Sequence, residues 1–376
     1  MSRASPRIAF LFLGETLLIP HLYPILEALA LAAPALRVEA WTISSVHEGL
    51  IARWLDEAGI AARVRLRRAP GWRAYPHLVR GENPPLPAKL PVLARLAPRL
   101  LAADLVVCAE QTSLWLPRLL PFFRRRFIKT AHGAGSMSAR DDARRRAAHV
   151  QLLPSAREKD TYLARGFAED RLIVTGYAKS AFRGLARPSR LFADDRPVLV
   201  YAPHWQRHRS SWWAWGRAIV AALVAQGAWN VILAPHQRLI EKDPGLRAVL
   251  AEAARAPHVH ADVDGFAMVD GSYMGAADLY LGDTSSQVLE FLVRPRPCVF
   301  LNPDRLDWRA TDDHGFWACG EVIDRLDALP DALARAAALH PRYETAQRAC
   351  VAASLGVTGP AAAEAAAQAL IALIPR

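Results

Sequence analysis

The sequence predicts an α/β fold with two doubly wound, Rossmann-like domains that face a central cleft. Three observations support this prediction. At 376 residues, the chain exceeds the size at which one hydrophobic core usually stops growing. Short apolar runs alternate with helical patterns, as in parallel sheets that are covered by helices. Between 182 and 196 a polar stretch rich in Arg and Pro interrupts this alternation, which then restarts.

We expect an N-terminal domain over 1–185, a C-terminal domain over 186–355 and an amphipathic helix over 356–376. The first domain shows apolar runs typical of strands at 8–13, 37–43, 64–67, 105–109, 127–131, 150–153 and 172–175. Helical patterns occupy 21–33, 46–58, 92–102 and 113–124, and a further helix begins after Ser155. The segment 69–91 is rich in Pro, Gly and Arg and is predicted to be an irregular loop.

The second domain repeats this alternation. Strands are predicted at 198–202, 230–234, 259–261, 279–281 and 298–301, and helices at 211–226, 244–254 and 285–292. The run 198–202 is almost wholly apolar, which is typical of a central strand in a parallel sheet.

Composition favours a soluble or peripheral protein of a reducing compartment. The four cysteines stand far apart and form no CxxC pair, which argues against a disulfide framework or a structural zinc site. No stretch reaches about 18 uninterrupted apolar residues, so no membrane-spanning helix is predicted. The apolar run near the N-terminus breaks at Gly14 without a small-residue cleavage site, and we interpret it as a strand rather than a signal peptide.

Charge is distributed unevenly along the chain. Residues 1–190 carry a net charge of +15 and residues 191–376 a net charge of −4, within the total of +11. Runs of three arginines at 124–126 and 144–146 contribute much of the excess. We expect this half to contact an anionic membrane surface, which would place the protein in the cytoplasm, peripheral on the inner face of the cell membrane. The alternative is that these arginines only cover solvated helix faces. No nucleic-acid-binding motif accompanies the charge, so no nucleic-acid partner is expected.

Ligand chemistry in such folds lies in the loops that follow the carboxyl ends of strands. The first candidate loop follows strand 127–131 and begins with His132, Gly133, Ala134 and Gly135. Two glycines allow a backbone to approach a ligand closely, and an imidazole there can act as a general base. His132 is therefore the candidate catalytic base, with a purely structural histidine as the alternative.

Two further loops each place a histidine directly after a strand. His204 follows strand 198–202, and the loop continues through Arg207, which supplies donors suited to a phosphate. His236 follows strand 230–234 in the same way. A solvated basic loop before a helix is the alternative interpretation of the segment around Arg207.

The strongest candidate site lies after strand 279–281. Asp283 ends that strand, Thr284, Ser285 and Ser286 supply hydroxyls, and a helix begins there. Unpaired N–H groups at a helix start favour anions, so this turn is predicted to bind phosphate. Glu290 lies four residues after Ser286 on the same helix face, where a carboxylate could contact a ribose. The alternative is an ordinary Asp/Ser N-cap on a buried helix.

These motifs, taken in order, resemble those of the bacterial CDP-glycerol glycerophosphotransferases of teichoic-acid and capsule synthesis. The resemblance covers roughly residues 127–303 and is carried by HGAG (132–135), TGY (175–177), YAPHW (201–205), APH (234–236), DTSS followed by Glu290, and RPCVFLN (296–302). It implies a GT-B fold, a nucleotide bound in the C-terminal domain and work at a membrane surface on an anionic acceptor. By this resemblance His132 is the catalytic base, His236 contacts the donor phosphate, and Ser285 and Ser286 form the phosphate-binding pair.

The expected activity is a metal-independent transfer that needs no cofactor besides the nucleotide-activated donor. A hydroxyl of a lipid-linked or polymeric acceptor would attack the phosphorus distal to cytidine and expel CMP. The Asp262-Val263-Asp264 sequence lies in a predicted loop and is interpreted as structural rather than metal-binding. A GT-B glycosyltransferase that uses a nucleotide sugar, and a non-enzymatic nucleotide or polysaccharide sensor, remain the alternatives. The absence of a GxxxxGK[ST] motif argues against a P-loop kinase.

Overall fold

The computed structural model describes residues 5–78, 82–131, 133, 143–182, 191–262, 264–310 and 312–375. The chain divides into two compact units. The first comprises Met1–Phe182 and Ala353–Arg376, and the second comprises Arg183–Ala352. Each unit contains one sheet whose paired strands are all parallel, with helices in the connections. The predicted α/β class with two doubly wound, Rossmann-like domains is confirmed.

The first sheet has seven strands in the order β3-β2-β1-β4-β5-β6-β7. Its strands are β1 Arg7–Phe12, β2 Arg37–Ser44, β3 Val64–Arg73, β4 Leu105–Cys108, β5 Phe127–Thr130, β6 Val150–Leu153 and β7 Leu172–Val174. The helices of the connections are α1 Ile19–Ala32, α2 Ser45–Glu57, α3 Lys89–Leu100, α4 Trp115–Leu119 and α5 Ala156–Ala164. The strand order reverses between β1 and β4, so this is a doubly wound sheet.

Strand β3 is longer than the sequence indicated. The predicted strand ended at 67, but β3 continues through Arg73 and remains paired with β2 up to the Ser44–Arg73 pair. As the edge strand of its sheet, β3 has one neighbouring strand and leaves several polar side chains outside the core. Because its mixture of Arg, Pro and Gly resembles a loop, the part of β3 after 67 was not predicted as a strand. The irregular segment predicted over 69–91 is therefore shorter in the structure.

The helix predicted over 113–124 is also shorter in the structure. Helix α4 ends at Leu119, and a 3₁₀ turn occupies Pro121–Arg126. Proline disfavours helical geometry at the residue before it, and Leu120 lies outside the helical region with φ −121° and ψ 87°. The Pro121 ring thus ends the helix, although the apolar pattern continues past it.

The second sheet has six strands in the order β10-β9-β8-β11-β12-β13. These are β8 Val198–Ala202, β9 Asn230–Leu233, β10 Val259–Ala261, β11 Leu279–Gly282, β12 Cys298–Leu301 and β13 Glu321–Ile323. Helices of this unit are α6 Arg217–Ala225, α7 Gln237–Lys242, α8 Leu246–Ala253, α9 Ser272–Ala276, α10 Ser286–Leu292 and α11 Leu329–Leu339. A π-helical turn, Trp212–Gly216, precedes α6. Strand β13 and helices α7, α9 and α11 were not predicted.

The C-terminal segment belongs to the first unit. Helix α12 (Glu344–Leu355) leads out of the second unit, and α13 (Pro360–Ala372) packs against α1. Gly176, at φ +91°, allows this approach, because a Cβ there would overlap the Val357 backbone. The Gly359 N–H also donates to Ser180 Oγ at 2.7 Å.

By length and composition, the stretch Glu344–Ala372 could cross a membrane. It is, however, two helices separated by Gly356 and Gly359, both at positive φ. One face of α13 is buried in the first unit. We therefore interpret the stretch as part of the fold.

Candidate functional site

Three loops of the second unit lie at one edge of its sheet. Strand β8 stands between β9 and β11, and all three strands are parallel. Their carboxyl ends therefore meet, and the loops that follow carry His204, His236 and the turn at 283–286. The His204 and His236 rings lie 5.8 Å apart. The structure thus brings together predicted site residues that are far apart in the sequence, such as His204 and Asp283, which are 79 positions apart.

Asp283 fixes the loop that carries His204. One of its carboxylate oxygens accepts the His204 N–H at 2.8 Å, and the other accepts the Ser211 N–H at 3.0 Å. The side chain is 1% exposed, and this burial raises the pKa of Asp283 to about 7. Both oxygens are therefore engaged with the protein backbone. The geometry gives Asp283 a positioning role, while the phosphate contact predicted for it stays a prediction.

The two histidines share one protonation pattern. The Gln206 N–H donates to Nδ1 of His204, and the Arg238 N–H donates to Nδ1 of His236, each at 3.2 Å. Burial is the main cause that lowers the pKa of His204 to about 3 and that of His236 to about 4. Both imidazoles are therefore neutral at pH 7. Since Nδ1 is an acceptor in each, Nε2 carries the proton and is a hydrogen-bond donor.

The turn after β11 adds hydroxyl groups. Ser285 is the N-cap of α10, and its Oγ accepts the Gln287 N–H at 3.3 Å, so its own hydroxyl hydrogen can still be donated. Thr284 is fully buried, and within the described part of the chain its Oγ1 has no hydrogen-bond partner. A buried polar atom without a partner costs free energy. Ser286 is half-buried and Glu290 is buried on α10, and the phosphate and ribose contacts predicted for them stay predictions.

Arg207 lies on the loop after β8, three residues beyond His204. It is exposed, and its guanidinium carbon lies 4.3 Å from the centroid of the Trp213 ring, a cation–π distance. Its donor groups remain accessible from solvent. Whether it contacts phosphate stays a prediction.

Sequence reasoning missed an aromatic and cationic part of this site. The half-buried Trp205 ring lies 5.9 Å from His204 and 6.2 Å from His236. Arg238 and Lys242 on α7 lie 5.4 and 5.8 Å from the same ring. Helix α7 had not been predicted, although the apolar pair Leu239–Ile240 and the following Asp-Pro were the available signals. The site therefore combines neutral donors and hydroxyls with nearby cations, which suits an anion rich in oxygen.

The candidate loop of the first unit is described only in part. His132 and Gly135 lie outside the described residues, whereas Gly133 is described and has φ +86°, a conformation that favours glycine. The preceding strand carries Lys129, which is 3% exposed. Burial, followed by the charge of Arg145, lowers the pKa of Lys129 to about 7. The role predicted for His132 stays a prediction.

The Asp-x-Asp sequence is engaged in local structure. Asp262 accepts hydrogen bonds from the Gly265 N–H at 2.7 Å and from the Tyr273 hydroxyl at 2.6 Å. Asp264 forms a bidentate ion pair with Arg247, with both N–O distances at 2.7 Å. These contacts agree with the structural interpretation given to the motif from its sequence.

Neither protein-family models nor curated proteins match this sequence. Solved structures do show the same fold. UDP-GlcNAc 2-epimerase from Neisseria meningitidis, bound to UDP-GlcNAc, is 12% identical with a TM-score of 0.59, and the alignment covers 98% of this chain and 99% of that one. A putative UDP-N-acetylglucosamine 2-epimerase from Listeria monocytogenes is 14% identical with a TM-score of 0.62, with 99% and 96% covered. The wall teichoic acid polymerase TagF is 14% identical with a TM-score of 0.61, with 99% and 90% covered.

The TM-scores over nearly the whole chain establish the fold. The neighbours are GT-B fold enzymes of two kinds, epimerases of a nucleotide sugar and a cell-wall polymerase. The GT-B-like class expected from the sequence is therefore confirmed.

Proposed function

We propose that this protein is a transferase that moves a glycerophosphate-like group from a CDP-activated donor to an acceptor hydroxyl. The main observation behind this proposal is that His204, His236 and the hydroxyls of Thr284 and Ser285 all follow the carboxyl ends of adjacent strands in one unit. Phosphate oxygens accept hydrogen bonds, and this edge supplies neutral donors that are held by backbone N–H groups of their own loops. The motifs that resemble CDP-glycerol glycerophosphotransferases, and the presence of TagF among the structural neighbours, support a CDP-alcohol as the donor.

The reaction would proceed by in-line displacement at phosphorus. An oxygen of the acceptor forms a bond to the distal phosphorus, the bond from that phosphorus to the CMP oxygen breaks, and CMP leaves with the negative charge. His236 and Ser285 would hydrogen-bond the developing charge on the leaving phosphate. The hydroxyl proton would pass to His132, which is the proposed base.

A bound phosphate would change the protonation of the site. An anion beside an imidazole favours its charged form, so the pKa of His236 would rise from about 4 when the donor binds. Arg238 and Lys242 on α7 would add positive charge near the donor phosphates. No step in this scheme requires a metal ion or a further cofactor.

The proposed acceptor is a lipid-linked or polymeric hydroxyl at the inner face of the cytoplasmic membrane, reached through the basic N-terminal half. Nucleic acid is not proposed as a partner. This assignment rests on the +15 net charge of residues 1–190 and on the motif resemblance.

A glycosyltransferase that uses a nucleotide sugar is the second candidate. One structural neighbour holds UDP-GlcNAc and another, from S. aureus, holds UDP. Such an enzyme would use the same strand ends for the diphosphate but would attack an anomeric carbon. The nucleotide that is released separates the two candidates.

The decisive assay incubates the purified full chain and a soluble acceptor that carries hydroxyl groups with CDP-glycerol, a CMP-sugar or UDP-sugars, and separates the nucleotide products by chromatography. We expect CMP from CDP-glycerol, and a large loss of turnover in His236→Gln. His258→Gln is the matched control. His258 lies at the amino end of β10, away from the proposed site, and forms a hydrogen bond with the Leu223 carbonyl. Release of UDP from a UDP-sugar would favour the second candidate, and no turnover of any donor would overturn both.

A further inference from the structure

An exposed apolar cluster lies on the first unit, in the connection between β4 and β5. Leu119 is 60% exposed and Phe122 is 62% exposed, while Leu120 is 36% exposed. Leu101 is 49% exposed and is tied to this segment, because Arg126 donates to its carbonyl at 2.7 Å. We call these four side chains the apolar cluster.

The segment that carries the cluster is anchored in the core of the unit. Phe122 lies 4.8 Å from Phe123, centroid to centroid, and Phe123 is buried in the core of the unit. Pro121 ends α4 and sets the 3₁₀ turn that carries both rings. Exposed side chains of this size carry an energetic cost in water, and contiguous apolar patches mark surfaces that meet a partner or a membrane.

The surroundings of the cluster are cationic. Arg118 and Arg124 are exposed on the same segment, and Arg95 and Arg99 are exposed on α3, which packs against α4. Between 111 and 130 the sequence contains four arginines and one lysine and no Asp or Glu. Apolar side chains flanked by positive charge are complementary to an anionic lipid surface, which offers both headgroup charge and hydrocarbon.

The second arginine run is, by contrast, engaged within the unit. Arg145 is 7% exposed and donates to the Tyr162 hydroxyl. Arg146 donates to the Arg165 carbonyl at 2.7 Å and lies 4.5 Å from the Phe167 ring. Arg144 is half-buried and lies 5.6 Å from the Trp115 ring, which the exposed Arg118 also approaches, at 5.0 Å. The 144–146 run therefore contributes to the fold, and the membrane contact is better assigned to the 118–126 segment.

We infer that Leu101, Leu119, Leu120 and Phe122 insert into the headgroup region of an anionic bilayer, with Arg118 and Arg124 paired to lipid phosphates around them. This inference deepens the peripheral attachment proposed above and rests on it. It is independent of which donor the enzyme uses. The bilayer is favoured over a protein partner because the exposed charges beside the cluster are positive and no carboxylate occurs along 111–130.

The test is co-sedimentation with vesicles of phosphatidylglycerol and phosphatidylcholine, compared with phosphatidylcholine alone. We expect the full chain to pellet with the anionic vesicles and added salt to weaken its binding. The double variant Leu119→Ser/Phe122→Ser should lose roughly tenfold or more in partitioning, and so should Arg118→Gln/Arg124→Gln. Matched controls are Leu31→Ser, at a residue 51% exposed on α1, and Arg157→Gln, at an exposed residue on α5. Neither should change partitioning.

Insertion is measured separately with an environment-sensitive fluorophore attached to Phe122→Cys. This variant also carries Cys350→Ser, because Cys350 is half-buried and could be labelled, whereas the other three cysteines are buried. Its emission should shift to the blue with anionic vesicles, whereas the same label on Leu31→Cys should not respond. Unchanged partitioning of the double serine variant, or a label at 122 that stays in water, would overturn the inference. It would also be overturned if sedimentation equilibrium showed a dimer that the serine variant breaks, since the cluster would then be a protein interface.

Nucleotide release with a soluble acceptor distinguishes this inference from the proposed function. We expect the double serine variant to retain wild-type turnover in that assay. If vesicle binding fails while CMP is released, the insertion and the membrane attachment are wrong, and the proposed reaction stands. If binding follows the cluster and no nucleotide is released, only the proposed reaction is wrong.

Discussion

The carboxylate of Asp283 holds the backbone of His204 across 79 positions of sequence, with Oδ2 of Asp283 2.8 Å from the His204 nitrogen. The second oxygen holds the Ser211 N–H, so the loop after β8 is fastened at both ends to the turn after β11. A loop with two buried attachments cannot move its histidine without breaking them. Two of the three loops that we propose to bind the donor are therefore joined to each other by buried hydrogen bonds.

Replacement of Asp283 by Asn should test this attachment. The amide of Asn has one acceptor oxygen, which can accept only one of the His204 and Ser211 N–H groups. Its NH₂ group would face the other N–H, and two donors cannot form a hydrogen bond. We expect Asp283→Asn to lower the free energy of unfolding by about 1–3 kcal/mol and to weaken donor binding. Urea unfolding and calorimetric titration measure the two effects.

Asp278→Asn is the matched control for Asp283→Asn. Asp278 accepts the Val198 N–H at 2.9 Å at the opposite end of the same strand pair, where no ligand is proposed. It should affect stability and leave donor affinity unchanged. Equal loss of donor affinity in both variants would show that general destabilisation, rather than loop position, sets the affinity.

The serine turn should affect donor binding more than its capping role predicts. Ser285→Ala/Ser286→Ala removes two hydroxyls from the turn, and the loss of the cap alone should cost about 1 kcal/mol of stability. We expect donor affinity to fall roughly tenfold or more, since two hydrogen bonds to a charged ligand are lost. Isothermal titration with CDP-glycerol measures this change.

Ser155→Ala supplies the control, because Ser155 caps α5 of the first unit and its Oγ accepts the Glu158 N–H at the same distance of 3.3 Å. It should cost similar stability without a change in affinity. Wild-type affinity in the double serine variant would remove the turn from the proposed donor site.

His132→Ala should lose turnover far more than donor affinity, because a base acts on the acceptor proton. Steady-state kinetics at saturating donor, together with a separate measurement of donor binding, distinguish the two effects. His77→Ala, at an exposed histidine of the same unit, is the control and should behave as wild type. Near-normal turnover in His132→Ala would reassign this residue to a structural role.

Acid should destabilise the protein through its buried histidines. Burial is the main cause that lowers the folded pKa of His204 to about 3, that of His236 to about 4, and that of His47, a buried residue on α2, to about 4. The unfolded chain therefore binds more protons below pH 6.5, so stability is lost as the pH falls from 6.5 towards 4. Each histidine contributes roughly 1.4 kcal/mol per pH unit within that window.

Asp283 acts in the opposite direction. The folded pKa of Asp283 is raised from 3.8 to about 7. Its protonation therefore contributes folding stability that is fully present below pH 3.8 and is lost as the pH rises through 7. Urea unfolding at pH 7, 6 and 5 should show a shallower pH dependence in His204→Gln, by about one proton, and a steeper one in Asp283→Asn. Equal slopes in all three proteins would show that these groups titrate normally in the fold.

Much of the fold could be predicted, because buried parallel strands have short apolar sequences. The segment 198–202 is such a run, and it is β8 in the structure. Edge strand β3 was predicted too short because its polar face resembles a loop. Helix α7 was missed because six residues give too little periodicity for a helical pattern.

The sequence by itself determined which residues follow the carboxyl ends of strands, and thus that His204, His236 and Asp283 are candidates for one site. Only the tertiary structure decided what each side chain does there. Asp283 is engaged with two backbone N–H groups, and the Arg146 guanidinium is engaged with carbonyls of its own unit. These outcomes depend on hydrogen-bond partners far apart in the chain and on burial. Local periodicity reports neither of these, because it records only which face of an element is apolar.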